Sequence, residues 1–208
     1  PLAAKPFIGF AAPPFQGKGA GAASGMDALA QNCRTDAPLD PALLRALAPL
    51  PETAAETREV GALLGAGPGD VVTGAAVTKA AVRDRGLDQY RVLYFATHGL
   101  LPGELRCQTQ PGLALAPPSS PPASAADDGL LTAADIALLR LNADLVVLSA
   151  CNTAGGDRLG GEALSGLAES FFFAGARAML VTHWQVPSLP TVELMTGLFR
   201  RTAAGAGP

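Results

Sequence analysis

Short continuous apolar runs alternate along this chain with longer segments whose apolar positions recur at helical spacing. The run Tyr90-Arg-Val-Leu-Tyr-Phe-Ala-Thr97 is β-branched and aromatic, and predicts a parallel strand buried on both faces. Ala143-Asp-Leu-Val-Val-Leu-Ser149 gives the strongest strand signal, and residues 177–182 predict a third buried strand. Pro6 to Phe10 reads as a strand entering a loop, Asp70 to Thr73 as a short strand, and Gly112–Ala116 and Gly129–Leu131 as two more. Glu52, Glu56 and Glu59 lie on one side of a segment in which Val60, Leu63 and Leu64 repeat helically until Gly65 ends it. Further helices are predicted from Thr78 to Arg85, with Thr78 as cap, and from Thr132 through Leu139. The last two run from Gly161 to Ala174, with Leu164, Leu167, Ala168 and Phe171 as the apolar stripe, and from Pro190 to Arg201.

Apolar strands alternating with helices define an α/β fold with a mainly parallel central sheet. The 208 residues suffice for one domain with a real core, residues 1–208. Its first 50 residues are expected to be mostly irregular, and the Gly/Ala/Ser-rich stretch 16–25 to be a flexible connection. The Pro- and Ser-rich run 117–126 is expected to be a flexible loop. The chain begins Pro1-Leu2 without an initiator Met, so a fragment of something longer is the expectation.

Composition narrows the function. Apolar residues make 49% of the chain and charged ones 16%, which excludes a solvated, disordered polymer. A net charge of -3 argues against direct nucleic-acid binding. No apolar run approaches the ~20 residues of a membrane span. Three cysteines at 33, 107 and 151 form neither a disulfide framework nor a CxxC knuckle. A reducing, cytoplasmic setting is therefore expected, with Cys33 and Cys107 as incidental thiols.

Open parallel sheets place their ligands beyond the carboxyl ends of the strands. Here His98 closes one predicted strand and Cys151 another. If those strands pair, their ends lie about 5 Å apart. A thiol needs a base or a positive neighbour to be an effective nucleophile at neutral pH, and histidine is the usual partner. Gly99 follows the histidine, so a substrate carbonyl can approach its backbone, and its N–H could hold an oxyanion together with that of Cys151. Taken singly, Cys151 reads as a buried structural cysteine and His98 as a core histidine; the pair carries the functional reading.

Other candidates weigh less. His183 ends the strand 177–182 beside Trp184 and could line the same cleft, as could Ser149, Asn152 and Asp157. Asp127 and Asp128 fit a turn, and Asp135 the positive end of a helix. The glycines at 65, 67 and 69 follow a helix and lack a Lys-Ser/Thr pair, which argues against a phosphate loop. No GxSxG elbow occurs.

The segments Phe95-Ala-Thr-His98-Gly99, Asp128-Gly-Leu-Leu-Thr-Ala-Ala-Asp135, Leu148-Ser-Ala-Cys151-Asn-Thr153, Gly160-Gly-Glu-Ala-Leu-Ser-Gly-Leu167 and Ala174-Gly-Ala-Arg-Ala178 resemble a CHAT domain. This is the caspase-like family often attached to tetratricopeptide repeats, and the resemblance is best over residues 51–201. The histidine-to-cysteine interval is similar to the roughly 50 residues of caspases. The resemblance implies a three-layer α/β/α sandwich and a cysteine endopeptidase acting on a protein substrate, without metal or organic cofactor. It implies His98 as general base, Cys151 as nucleophile, and the N–H groups of Gly99 and Cys151 as oxyanion hole. It also implies a repeat or sensor region, in the same or a partner chain, that regulates the enzyme. Arginine- and lysine-specific relatives carry an acid where this chain has Ser149, so an uncharged residue before the cleaved bond is expected. The alternative is a catalytically idle interaction module of the same fold; a small-molecule thiol hydrolase is a third reading.

Overall fold

The computed structural model describes residues 2–17, 38–120, 122–149, 158–181 and 188–203, without the side chains of 158–165, 188–191 and 202–203. In chain order the strands are β1 (Lys5–Ala11), β2 (Val71–Thr73), β3 (Tyr90–Ala96), β4 (Gly99–Leu100), β5 (Gly112–Ala114), β6 (Leu130–Thr132), β7 (Leu145–Ser149) and β8 (Met179–Val181). The helices are α1 (Pro41–Arg45), α2 (Glu52–Leu64), α3 (Lys79–Arg83), α4 (Ala133–Ala137), α5 (Arg158–Ala174) and α6 (Ser188–Ala203).

Five strands form one parallel sheet in the order β2-β1-β3-β7-β8. Side chains alternate across it, as the pleat requires. Ile8, Phe10, Leu93, Phe95, Val146 and Leu148 join a core with Ile136 of α4 and Leu167 and Phe171 of α5. Phe7, Ala11, Tyr94, Ala96 and Val147 join a second core with Val60 of α2 and Met195 and Phe199 of α6. The sheet thus lies between two helix layers, and burial on both faces explains why its strands read as continuous apolar runs. The three-layer mainly parallel α/β architecture is as expected.

Two features go beyond the sequence reading. The N-terminal part, expected to be mostly irregular, supplies β1, which lies inside the sheet between β2 and β3. The short strands near 112 and 130 do not join the main sheet. They pair with β4 as a separate antiparallel sheet, in the order β4-β5-β6. Physically, β4 begins only a few residues after β3 ends, too short a connection for a parallel crossover.

Packing of α2 on the sheet sets the site. A Cβ on Gly9 of β1 would lie 2.3 Å from Thr57 Cγ2, and one on Gly61 would lie 3.0 Å from Phe7 Cε1. These two glycines let helix and strand approach closely. Gly65, at φ 81, closes α2 in the left-handed conformation and returns its N–H to Ala62 and Gly61.

Candidate active site

β3 and β7 are neighbours, in a parallel register that pairs Ala96 with Ser149. His98 follows Ala96 by two positions, as Cys151 follows Ser149. Cys151, Asn152, Asp157 and His183, singled out from the sequence, lie outside the described residues.

His98 is buried, with 3% of its surface exposed. Its Nε2 lies 2.8 Å from the carbonyl oxygen of Ala48. A carbonyl can only accept, so Nε2 carries the proton and Nδ1 keeps the free lone pair. Nδ1 is buried and has no hydrogen-bond partner among the described residues. Phe15 packs against the ring at 5.4 Å between centroids. Burial holds the imidazole below its ordinary pKa of 6.5, outweighing the opposing pull of the Ala48 carbonyl and the Glu52 charge. The ring is neutral at pH 7, with its proton on one known nitrogen.

Gly99 opens β4 opposite Leu113. The neighbouring N–H of Ala114 donates to the carbonyl of His98 at 2.9 Å. Antiparallel ladders alternate bonded and non-bonded pairs, so the N–H of Gly99 is directed away from β5. Thr97 donates to the Ala114 carbonyl at 2.5 Å, which fixes the segment just before the histidine.

Ser149, expected to line a cleft, instead turns its hydroxyl into the helix layer. Its Oγ donates to Glu56 Oε1 at 2.6 Å, and Ser149 is only 1% exposed. The Tyr94 hydroxyl donates to the same carboxylate oxygen. Burial pushes the Glu56 carboxyl above its ordinary 4.5, although both hydroxyls favour the charged form. Burial, then the Glu56 charge, pushes the Tyr94 phenol up. Sequence reasoning missed this role for Glu56. A signal was present, since Glu56 stands one turn before Val60 and four residues before it in the apolar stripe of α2.

Two of the acids singled out from the sequence, Asp128 and Asp135, are already engaged. Lys79, 5% exposed, donates to Asp135 Oδ2 at 2.8 Å, to Asp128 Oδ1 at 3.3 Å and to the Ala125 carbonyl at 2.7 Å. Asp128 also accepts from the N–H groups of Leu39 and Leu130, each at 3.1 Å. Asp135 completes a capping box with Thr132. The expected turn and capping roles are present, and a buried ion pair is added to them. Cys107 corrects another expectation. It is disulfide-bonded rather than an incidental free thiol, and its partner cysteine lies outside the described residues. Cysteine spacing alone says nothing of which distant loops meet. Among the described residues no helix is long and apolar enough to cross a membrane.

A parallel sheet between two helix layers, with a buried histidine just past the end of one central strand, defines an α/β protein of the caspase-like class. Residues 14–208 match the CHAT domain, and the chain belongs to that family. Over 58 residues the chain is 48% identical to tetratricopeptide repeat protein 28 of Mus musculus. That stretch is 28% of this chain and 2% of the mouse protein, so the chain spans a small part of the relative it matches.

Proposed function

We propose that this CHAT domain is a cysteine endopeptidase that cleaves a protein substrate through a dyad of Cys151 and His98. The observation that carries the reading is the fixed tautomer of His98, whose bond to Ala48 leaves Nδ1 as a neutral acceptor. The parallel register of β3 and β7 supports it, because the same offset separates each paired residue from its dyad member.

In this mechanism the Cys151 thiol passes its proton to His98 Nδ1 as the thiolate attacks the scissile carbonyl. The N–H groups of Gly99 and Cys151 receive the oxyanion. Collapse of the tetrahedral intermediate breaks the C–N bond, and the imidazolium gives its proton to the leaving amine. Water, deprotonated by His98, then hydrolyses the thioester and releases Cys151 as thiol. His183, Asn152 and Asp157 would line the cleft in this reading.

A repeat or sensor region is the proposed regulator, in line with the likeness to a tetratricopeptide repeat protein. A cytoplasmic setting is part of the reading; the bond at Cys107 is its counter-observation, since disulfides are rare in reducing compartments. The idle-module alternative is not favoured. A buried acceptor without a partner among the described residues, such as His98 Nδ1, costs about 1–3 kcal/mol, which proton transfer would put to use. The test is labelling with a peptidyl acyloxymethyl ketone after mild reduction. Modification should map to Cys151 and depend on His98; indifference to His98→Ala would overturn the dyad.

A further inference from the structure

The Glu56 carboxylate joins three elements at one oxygen. It projects from α2, accepts from Tyr94 of β3 and from Ser149 of β7, and is itself 1% exposed. Tyr94 precedes His98 by four residues and Ser149 precedes Cys151 by two. The two donors are not directly paired, for Tyr94 stands opposite Val147 and Ser149 opposite Ala96. The carboxylate therefore spans two steps of the ladder on the face covered by α2. The segment leading into that helix supplies the Ala48 carbonyl that holds His98.

A buried carboxylate is costly, and apolar side chains would fill this position more cheaply. Its neighbours show how closely the place is built. Tyr94 is fixed by Phe7, at 5.9 Å between centroids, and by Phe199 at 6.2 Å. Gly9 and Gly61 admit the helix to the sheet. Nothing in this cluster is exposed enough to meet a substrate, so its effect must pass through the strands.

We propose that Glu56 is a positioning residue for the dyad: by accepting from Tyr94 and Ser149 it fixes the end of β7 that leads to Cys151 against the end of β3 that leads to His98. This rests on the dyad reading above. Two hydroxyls on adjacent strands donating to one acceptor add a side-chain tie between the strand ends to the ladder pairing, which among the described residues runs to Ala96 and Ser149. Glutamine keeps an acceptor oxygen at the same reach and retains the clamp; alanine removes it.

The experiment measures the second-order rate of iodoacetamide alkylation at Cys151, mapped by mass spectrometry after mild reduction, with thermal unfolding of each variant alongside. Wild type should react faster than His98→Ala; equal rates would sink the dyad reading itself. Given that difference, Glu56→Ala and Ser149→Ala should slow alkylation about 10-fold, since small misplacements of reacting groups are that costly. Glu56→Gln should stay within ~3-fold of wild type, and Glu56→Ala/Ser149→Ala should be no slower than Glu56→Ala. A folded Ser149→Ala or Glu56→Ala with the wild-type rate would overturn the proposal and leave the dyad standing. Should Glu56→Ala fail to fold, Ser149→Ala decides, because it deletes one hydroxyl and little volume.

Discussion

The carbonyl of Ala48 lies 2.8 Å from Nε2 of His98, fifty residues further along the chain. That contact decides which ring nitrogen carries the proton. It also couples the histidine to the lead-in of α2, the helix that carries Glu56 to Ser149. One helix therefore addresses both strand ends.

The buried acid and the buried base should leave opposite marks on stability. Glu56 has a folded pKa raised above 4.5, so its contribution is fully present below that pH and is lost as pH rises through the folded value. His98 has a folded pKa lowered from 6.5, so its contribution is present above 6.5 and is lost as pH falls toward the folded value. Thermal unfolding of Glu56→Gln and wild type across a pH series should show the variant gaining on wild type as pH rises above 4.5. A constant difference would mean that Glu56 titrates normally.

Lys79 neutralises two carboxylates from a position 5% exposed. Its replacement by alanine leaves Asp128 buried without a counter-ion. Denaturant unfolding of Lys79→Ala should show a loss of about 3 kcal/mol. A loss under about 1 kcal/mol would show that water or local relaxation already screens the pair.

The Pro- and Ser-rich loop is held at two points, by Arg45 on the Pro118 carbonyl and by Lys79 on the Ala125 carbonyl. Between them Ser119, Ser120, Ala123 and Ser124 are exposed. Limited proteolysis should cut first within 119–124, and replacing that stretch by a short turn should preserve cooperative unfolding. Loss of folding on such a replacement would show that the tip is structural.

Specificity follows from which charges are already used. A site for Arg or Lys needs a free carboxylate, and Asp128 and Asp135 are both engaged by Lys79. Glu56 is shut beneath Ser149 and Tyr94. With Ser149 neutral where the resemblance implies an acid in Arg- and Lys-specific relatives, a peptide library should reveal an uncharged residue before the cleaved bond, and Asp157 should not select a basic one. Strict selection of Arg, Lys or Asp there would contradict this.

The main sheet was legible because β3 and β7 are buried on both faces and so carry unbroken apolar sequence. Helix ends were legible at Gly65, Thr78 and Thr132, where local chemistry fixes the cap. The interior place of β1 was not, since Gly9 and the prolines after it look like the start of a loop. Gly9 is explained only by Thr57, far along the chain. Of the site, His98 was readable from its place after an apolar run. Ala48 was not, because a backbone carbonyl has no sequence signature; Glu56 showed only its place on the apolar side of α2, and no local pattern names its partners. Their roles arise from contacts between distant segments.

The most direct test of the central claim is acyloxymethyl ketone labelling of Cys151 in wild type, His98→Ala and His183→Ala at neutral pH. The account predicts a loss of ~10² to 10⁴-fold for His98→Ala, the usual worth of a positioned proton transfer, and a far smaller effect for His183→Ala. Equal labelling of wild type and His98→Ala, or a larger loss from His183→Ala, would contradict it.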